Sequence, residues 1–137
     1  MKLTGHTINP GEAEGEAIVY NGPFSFLGDI DISTGKITGK GHQLEGESLK
    51  GKVFVFTSGK GSTGGPFTAY SAKKRGNTPA AMICVEAEPI IGLAAITADI
   101  PMVDRLKPNP LEVIKTGDRV KVNATEGIVE VIKPREG

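Results

Sequence analysis

The sequence has one cysteine, Cys84, no tryptophan and only two histidines, His6 and His42, in 137 residues. A lone cysteine excludes an internal disulfide and cannot hold an iron–sulfur cluster, and neither histidine stands at a metal-ligand spacing from a carboxylate. Any metal chemistry must therefore draw on another chain. Aromatic residues make up 5%, and sixteen basic residues balance sixteen acidic ones. Without a positive field or an aromatic-plus-basic stripe, the chain carries no footprint for nucleic acid and no attraction to anionic membrane. The apolar runs at Val53–Phe56 and Ala80–Val85 are far shorter than the ~20 residues of a membrane span, and no charged-then-apolar leader opens the chain. These absences point to a cytoplasmic protein, with neither membrane nor nucleic acid as partner.

What is abundant is glycine, with nineteen copies, and proline, with nine. They predict many tight turns around a modest core of valine, isoleucine and alanine. The length fits a single domain over 1–137, with no repeat and no linker long enough to divide it. The first fifty residues read as β structure with a strand at 17–20 and a turn at 33–36, and contain no helix of normal length. Val53-Phe54-Val55-Phe56 is the continuous β-branched and aromatic run of a strand buried on both faces. Pro66 suits the first turn of a helix and Gly76 the position just past its end, so residues 66–75 are predicted helical. A second strand at 80–85, a helix at 89–98 and a short strand at 101–103 follow. Residues 119–122 and 128–132 read as a hairpin around Asn123–Gly127. The expected class is α/β, with a central β-α-β-α-β core flanked by additional strands.

Between strand and helix stands Gly59-Lys60-Gly61-Ser62-Thr63-Gly64. It matches G-x-G-x-x-G, and Glu86 follows near the end of the next strand, as in a dinucleotide site. Too few strands exist for two mononucleotide-binding halves, however, and the β-rich first third lacks crossover helices. A phosphate-binding P-loop is absent, because Gly61 follows Lys60 where Ser or Thr is needed and Phe54 replaces the leading glycine. The loop still has the physics of an anion site, with free backbone N–H groups at the positive end of a helix dipole. Ser62 and Thr63 are its distinguishing residues. They fit a reactive-serine loop, and on the motif alone they fit hydroxyl capping of the helix somewhat better. Both readings stay open at the level of the motif. Cys84 lies among Met82, Ile83 and Val85, as an inert core thiol would. His6 and His42 fit structural or solvent-facing positions.

Several separated segments together resemble one family. Asn9-Pro10-Gly11-Glu12-Ala13-Glu14-Gly15-Glu16-Ala17, Pro23-Phe24-Ser25-Phe26-Leu27-Gly28, Gly46-Glu47-Ser48-Leu49 and Gly59–Gly64 stand in the order of the aconitase X swivel-domain family. Ala80-Ala81-Met82-Ile83, Ile100-Pro101-Met102-Val103 and Thr116-Gly117-Asp118 extend the likeness over nearly the whole chain. One departure is Gly64-Gly65-Pro66 after Ser62-Thr63, where many relatives carry a serine-rich run.

The resemblance implies a swivelling β/β/α-type domain and the small subunit of a two-subunit hydro-lyase. Its partner would be a large subunit carrying the iron–sulfur cluster, and its substrate a phosphorylated hydroxy acid. The implied reaction converts (R)-5-phosphomevalonate to trans-anhydromevalonate 5-phosphate in a modified, archaeal mevalonate pathway. Other aconitase X dehydratases, acting on hydroxyproline-type or other hydroxy acids, are the neighbouring possibility, and a non-catalytic anion- or nucleotide-binding module the more distant one. By the same resemblance Ser62 is the proton acceptor, with Lys60, Gly61, Thr63 and Gly64 around the substrate and no metal ligand in this chain. A serine hydroxyl is a weak base, so that role needs its alkoxide stabilised by loop N–H groups, the helix N-terminus and a cation such as Lys60.

Overall fold

Side chains alternate to opposite sides of a strand, and the run Val53–Phe56, named β3, uses that alternation to join two hydrophobic clusters. Val53 and Val55 enter one cluster and Phe54 and Phe56 the other, all four being fully buried. The computed structural model describes residues 1–38 and 43–133, without the side chain of Lys133; His42 lies outside the described residues.

Before β3 come β1 (Lys2–Asn9), β2 (Glu12–Val19) and the four-residue α1 (Phe26–Asp29). After it come α2 (Gly65–Lys74), β4 (Ala81–Cys84), α3 (Pro89–Ala98), β5 (Met102–Lys107), α4 (Pro110–Val113), β6 (Arg119–Asn123) and β7 (Ile128–Lys133). The β-α-β-α-β core runs from β3 to β5, as the sequence pattern predicts, with β2, β3, β4 and β5 mutually parallel neighbours. The β6–β7 hairpin is also present.

The flanking strands do more than flank. They close the sheet into a barrel in the order β1-β5-β4-β3-β2-β6-β7, sealed where Leu3 of β1 meets Val129 of β7. Closure is not visible in the sequence because β1 alternates poorly. Only Leu3 and Asn9 are buried along it, and its pairing with β5 shifts register twice, between Thr4 and His6 and between Thr7 and Asn9. Such bulges break the period-2 signal. Leu3, Ala17, Val53, Val55, Ala81, Ile83, Val103, Val120, Val122 and Val129 fill the barrel. No helix of the described residues is long and apolar enough to cross a membrane.

The second cluster lies between the parallel strands and helices α2 and α3. Phe24, Phe54 and Phe56 pack edge-to-face or stacked, with the Phe24 and Phe54 centroids 4.9 Å apart at 77°. Pairs of this geometry contribute about 0.5–1.5 kcal/mol beyond their burial. Lys73 and Lys74 occupy the last turn of α2, Arg75 caps it, and Gly76 turns the chain out with φ +73°. Cations at that end complement the helix dipole and a left-handed glycine ends the helix without steric cost.

Candidate active site

The chain leaves the carboxyl end of β3 into the glycine loop, on the edge where parallel strands of α/β folds, open or closed, present their ligand sites. Both sides of the loop's first half are held by backbone. Thr57 donates to the Gly22 carbonyl at 3.1 Å, Phe24 donates to the Ser58 carbonyl at 2.9 Å, and Val85 donates to the Thr57 carbonyl at 3.1 Å. Gly59 is enclosed, since a Cβ there would run into the Glu88 carboxylate and Ile91. Glu88 itself caps α3, accepting from the backbone N–H of Ile90 and Ile91 at 2.9 and 2.6 Å.

The second half is open. Gly61 has φ +86° with no atom within 4 Å of a would-be Cβ, and Ser62 follows with φ +79°. Ser62, Asp99 and Arg105 are the non-glycine residues with positive φ among the described residues. For an L residue this backbone costs roughly 1–2 kcal/mol. Asp99 has an evident reason, ending α3 as its left-handed cap. Ser62 has none in helix geometry. Its carbonyl accepts from Gly65 at 3.0 Å, closing a turn. Its hydroxyl makes no hydrogen bond among the described residues, and both it and Thr63 are exposed.

The capping alternative is therefore not realised. The cap of α2 is Gly64, with no side chain to bond the first N–H groups, and the helix begins at Gly65 rather than Pro66. A backbone turned left-handed instead presents the Ser62 hydroxyl outward at the helix's positive end.

Lys60 does not stand free. Its ammonium lies 2.8 Å from Oδ2 of Asp29, a carboxylate buried at the end of α1. The same oxygen accepts from the Ser25 backbone N–H at 3.0 Å. Ser25 in turn caps α1 through Oγ, which accepts from Leu27 at 3.2 Å, and it donates weakly to the Gly61 carbonyl at 3.4 Å. Asp29, Ser25 and Glu88 thus shape the loop; only Ser25 falls in a family segment, Pro23–Gly28, and none of the three was expected at the site. Asp29 stands thirty-one residues before Lys60 and Glu88 twenty-eight after it, separations that local patterns do not reveal.

Glu86, the acid a dinucleotide reading needs for ribose, pairs with Arg105 at 3.3 Å. His6 has a carboxylate partner the sequence did not show. Its Nδ1 lies 3.0 Å from Asp104, which is buried and accepts from the Ala87 N–H at 2.8 Å. Cys84 is buried, and burial, reinforced by the negative charges of Asp104, Glu88 and Glu86, pushes its thiol well above the ordinary range. It stays a neutral core residue at any pH near 7. Among the described residues no group of three or more His, Cys, Asp or Glu side chains is placed to hold a metal ion. The donor set thus does not fit an iron–sulfur cluster.

The site is thus an exposed, left-handed serine between glycines, at the carboxyl end of a parallel strand and beside a helix N-terminus. The model of the aconitase X swivel domain matches residues 2–131, and the chain belongs to that family. Among curated relatives it is 49% identical to the phosphomevalonate dehydratase small subunit of Methanosarcina acetivorans, over 98% of this chain and 94% of that one. It is 50% identical to the protein of the same name in Methanocella arvoryzae, over 96% and 99% of the two chains. Among solved structures, the crystal structure of Thermococcus kodakaraensis aconitase X in its holo form superposes with a TM-score of 0.91 at 44% identity, covering 97% of this chain and 99% of that one.

Proposed function

We propose that this chain is the small subunit of a two-subunit dehydratase that removes water from (R)-5-phosphomevalonate to give trans-anhydromevalonate 5-phosphate, with Ser62 taking the proton. The names of its relatives, phosphomevalonate dehydratase small subunit, support a dehydratase acting on phosphomevalonate. The observation that carries the role of Ser62 is the loop itself, where a strained backbone turns a hydroxyl outward without using it to cap α2.

Dehydration of a 3-hydroxy acid breaks a C–H bond beside the carboxylate and a C–O bond on the next carbon. In this reading Ser62 Oγ receives the α-proton. In this reading an alkoxide there is stabilised by the positive end of the α2 dipole and by the charge of Lys60, both stronger in a site that has excluded water. Lys60 has three N–H donors and its side chain is 43% exposed, so beyond its pair with Asp29 it keeps donors that this reading assigns to the substrate's carboxylate or phosphate. Gly61 and Gly64 allow close approach, and Thr63 offers a second exposed hydroxyl. The iron–sulfur cluster belongs to the large subunit in this proposal.

The loop has apolar neighbours suited to docking. Phe67, in the first turn of α2, is 79% exposed, and Leu27, whose Cδ2 would lie 2.9 Å from a Cβ on Gly64, is 49% exposed. Large apolar side chains left in water beside a site mark a surface that a partner covers.

The test is anaerobic reconstitution of this chain with its large subunit and cluster, followed by turnover of (R)-5-phosphomevalonate by wild type and Ser62→Ala. Turnover by the wild type and loss in an assembled variant support both substrate and base. No turnover with an intact cluster removes the substrate assignment, and a hydroxyproline-type acid is then assayed. Activity of the isolated chain, or an undiminished Ser62→Ala enzyme, removes the role of Ser62 in a shared site.

A further inference from the structure

We infer that Asp29 is the positioning residue of the serine loop: its buried carboxylate fixes Lys60 and, through Ser25 and Gly61, the left-handed backbone of Ser62. The inference deepens the proposed function and rests on it for the catalytic meaning of the loop.

Three features of the geometry converge on Asp29. It is 6% exposed, yet its Oδ2 carries two contacts, with the Lys60 ammonium at 2.8 Å and the Ser25 N–H at 3.0 Å. A buried carboxylate is costly unless paired and hydrogen-bonded, so the pair needs Lys60 where it is. The second feature is that Ser25, whose N–H the carboxylate holds, reaches the Gly61 carbonyl through Oγ. Residues 60 and 61 are thus tied to the same short segment, one through charge and one through a hydroxyl. The third is what lies beyond. Among the described residues, the hydrogen bonds of Gly61 to Gly64 are that one to Ser25 and the local bonds of the turn and α2. Upstream the loop is clamped by strand-like bonds to 22–24 and 85; downstream it is held by the helix. Asp29 supplies the charged attachment at the point where the clamp ends and the left-handed turn begins.

The segment bearing Asp29 is built for this task. Gly28 takes φ +98° and Leu27 leaves helical geometry, so α1 is a kinked turn rather than a stable helix. Its ends are anchored nevertheless. Phe24 and Phe26 are fully buried in the phenylalanine cluster, and the Asp29 carbonyl accepts from Thr38 at 3.1 Å. A rigid aromatic base therefore carries a carboxylate to the underside of the loop. A catalytic group held this way is placed before substrate arrives, and a misplacement of about 1 Å can cost 10²-fold in rate. Asp29 touches no reacting atom; it acts through Lys60 and the loop.

The experiment compares Asp29→Asn, Lys60→Met and the double variant in the reconstituted enzyme and in the free small chain. Asp29→Asn keeps the size and the acceptor for Ser25 but removes the charge; Lys60→Met leaves the buried carboxylate without its cation, and the double variant, which removes both charges, keeps the comparison readable where that single variant folds poorly. The expected result is a fall in kcat of about 10²-fold for Asp29→Asn with KM unchanged. The double variant should be no slower than the worse single one, because the two residues act as a unit. In the free chain, the backbone amide NMR signals of Gly61, Ser62 and Gly64 should shift or broaden in either variant, while those of β6 and β7 stay in place. An assembled Asp29→Asn enzyme with wild-type kcat overturns the inference, as do additive losses, unmoved loop signals, or a loss traced to failed assembly. The amide signals are read without substrate or partner. If the dehydratase reading fails, the coupling of Asp29 to the loop is still measured.

Discussion

Two glycine-containing turns of this molecule have opposite fates. The turn at 123–127 joins β6 to β7, and the loop at 59–64 joins β3 to α2; each uses a left-handed glycine, Gly127 at φ +71° and Gly61 at φ +86°. In the hairpin the polar groups are spent on structure. Glu126 and Gly127 donate back to Asn123 and Ala124, Gly5 donates to the Gly127 carbonyl at 2.8 Å, and the Thr7 hydroxyl donates to the Ala124 carbonyl at 2.6 Å. In the serine loop the strained residue is not glycine, its hydroxyl is unbonded among the described residues, and no side chain caps the helix that follows. Turn chemistry alone does not separate the two. What separates them is whether the polar groups are satisfied inside the chain, and groups left open at a strained position are the ones available for chemistry.

The contrast can be broken or sharpened by substitution. The largest effect is expected from Ser62→Ala in the reconstituted dehydratase. Loss of a general base lowers kcat by about 10²–10⁴-fold, while the melting temperature of the small chain should not fall, because the hydroxyl bonds nothing among the described residues. A large drop in stability would assign Ser62 to structure, like the hairpin residues. The mirror experiment is Gly127→Ala. Its Cβ would lie 2.5 Å from the Gly5 carbonyl oxygen at a left-handed backbone, so unfolding should become easier by roughly 1–3 kcal/mol, read by denaturant titration. The turnover of whatever enzyme remains folded should be normal.

Gly61→Ala sharpens the comparison, since the backbone strain is similar but the space is open. A stability loss of about 1 kcal/mol is expected, smaller than at Gly127, together with reduced turnover because the loop must reshape. Equal losses at the two glycines would show that space does not matter. At neutral pH the smallest effect concerns Cys84, whose thiol burial holds far above its ordinary value. The unfolded chain releases that proton above about pH 8.5 while the folded chain keeps it, so stability present at neutral pH is lost as pH rises beyond that point, at up to about 1.4 kcal/mol per pH unit. Melting curves between pH 7 and 10 should therefore fall more steeply for wild type than for Cys84→Ala. Parallel slopes would mean that the thiol ionises inside the fold.

Much of the fold was legible because its signals are local. The uninterrupted Val53–Phe56 run, Pro66 and Gly76 around α2, and Pro89 at the start of α3 each state their role within a few residues, and the helix at 89–98 matches to the residue. β1 was the weakest element to read, because two bulges against β5 scramble its alternation and leave only Leu3 and Asn9 buried. At the site, Ser62 and its glycines were legible as a loop of unusual composition. Its choice between cap and free hydroxyl was not, since that depends on a φ angle and on where α2 begins.

The sequence by itself determined the central β-α-β-α-β core, the position of the serine loop between β3 and α2, and the family to which the chain belongs, because each rests on periodicity, turn residues or motifs written locally. Only the tertiary structure decided that the flanking strands close a barrel, that Lys60 is held by Asp29, and that His6 meets Asp104 across 98 positions. These are pairings between distant residues, and they exist only once burial has brought two segments together and made an unpaired polar group too costly to leave.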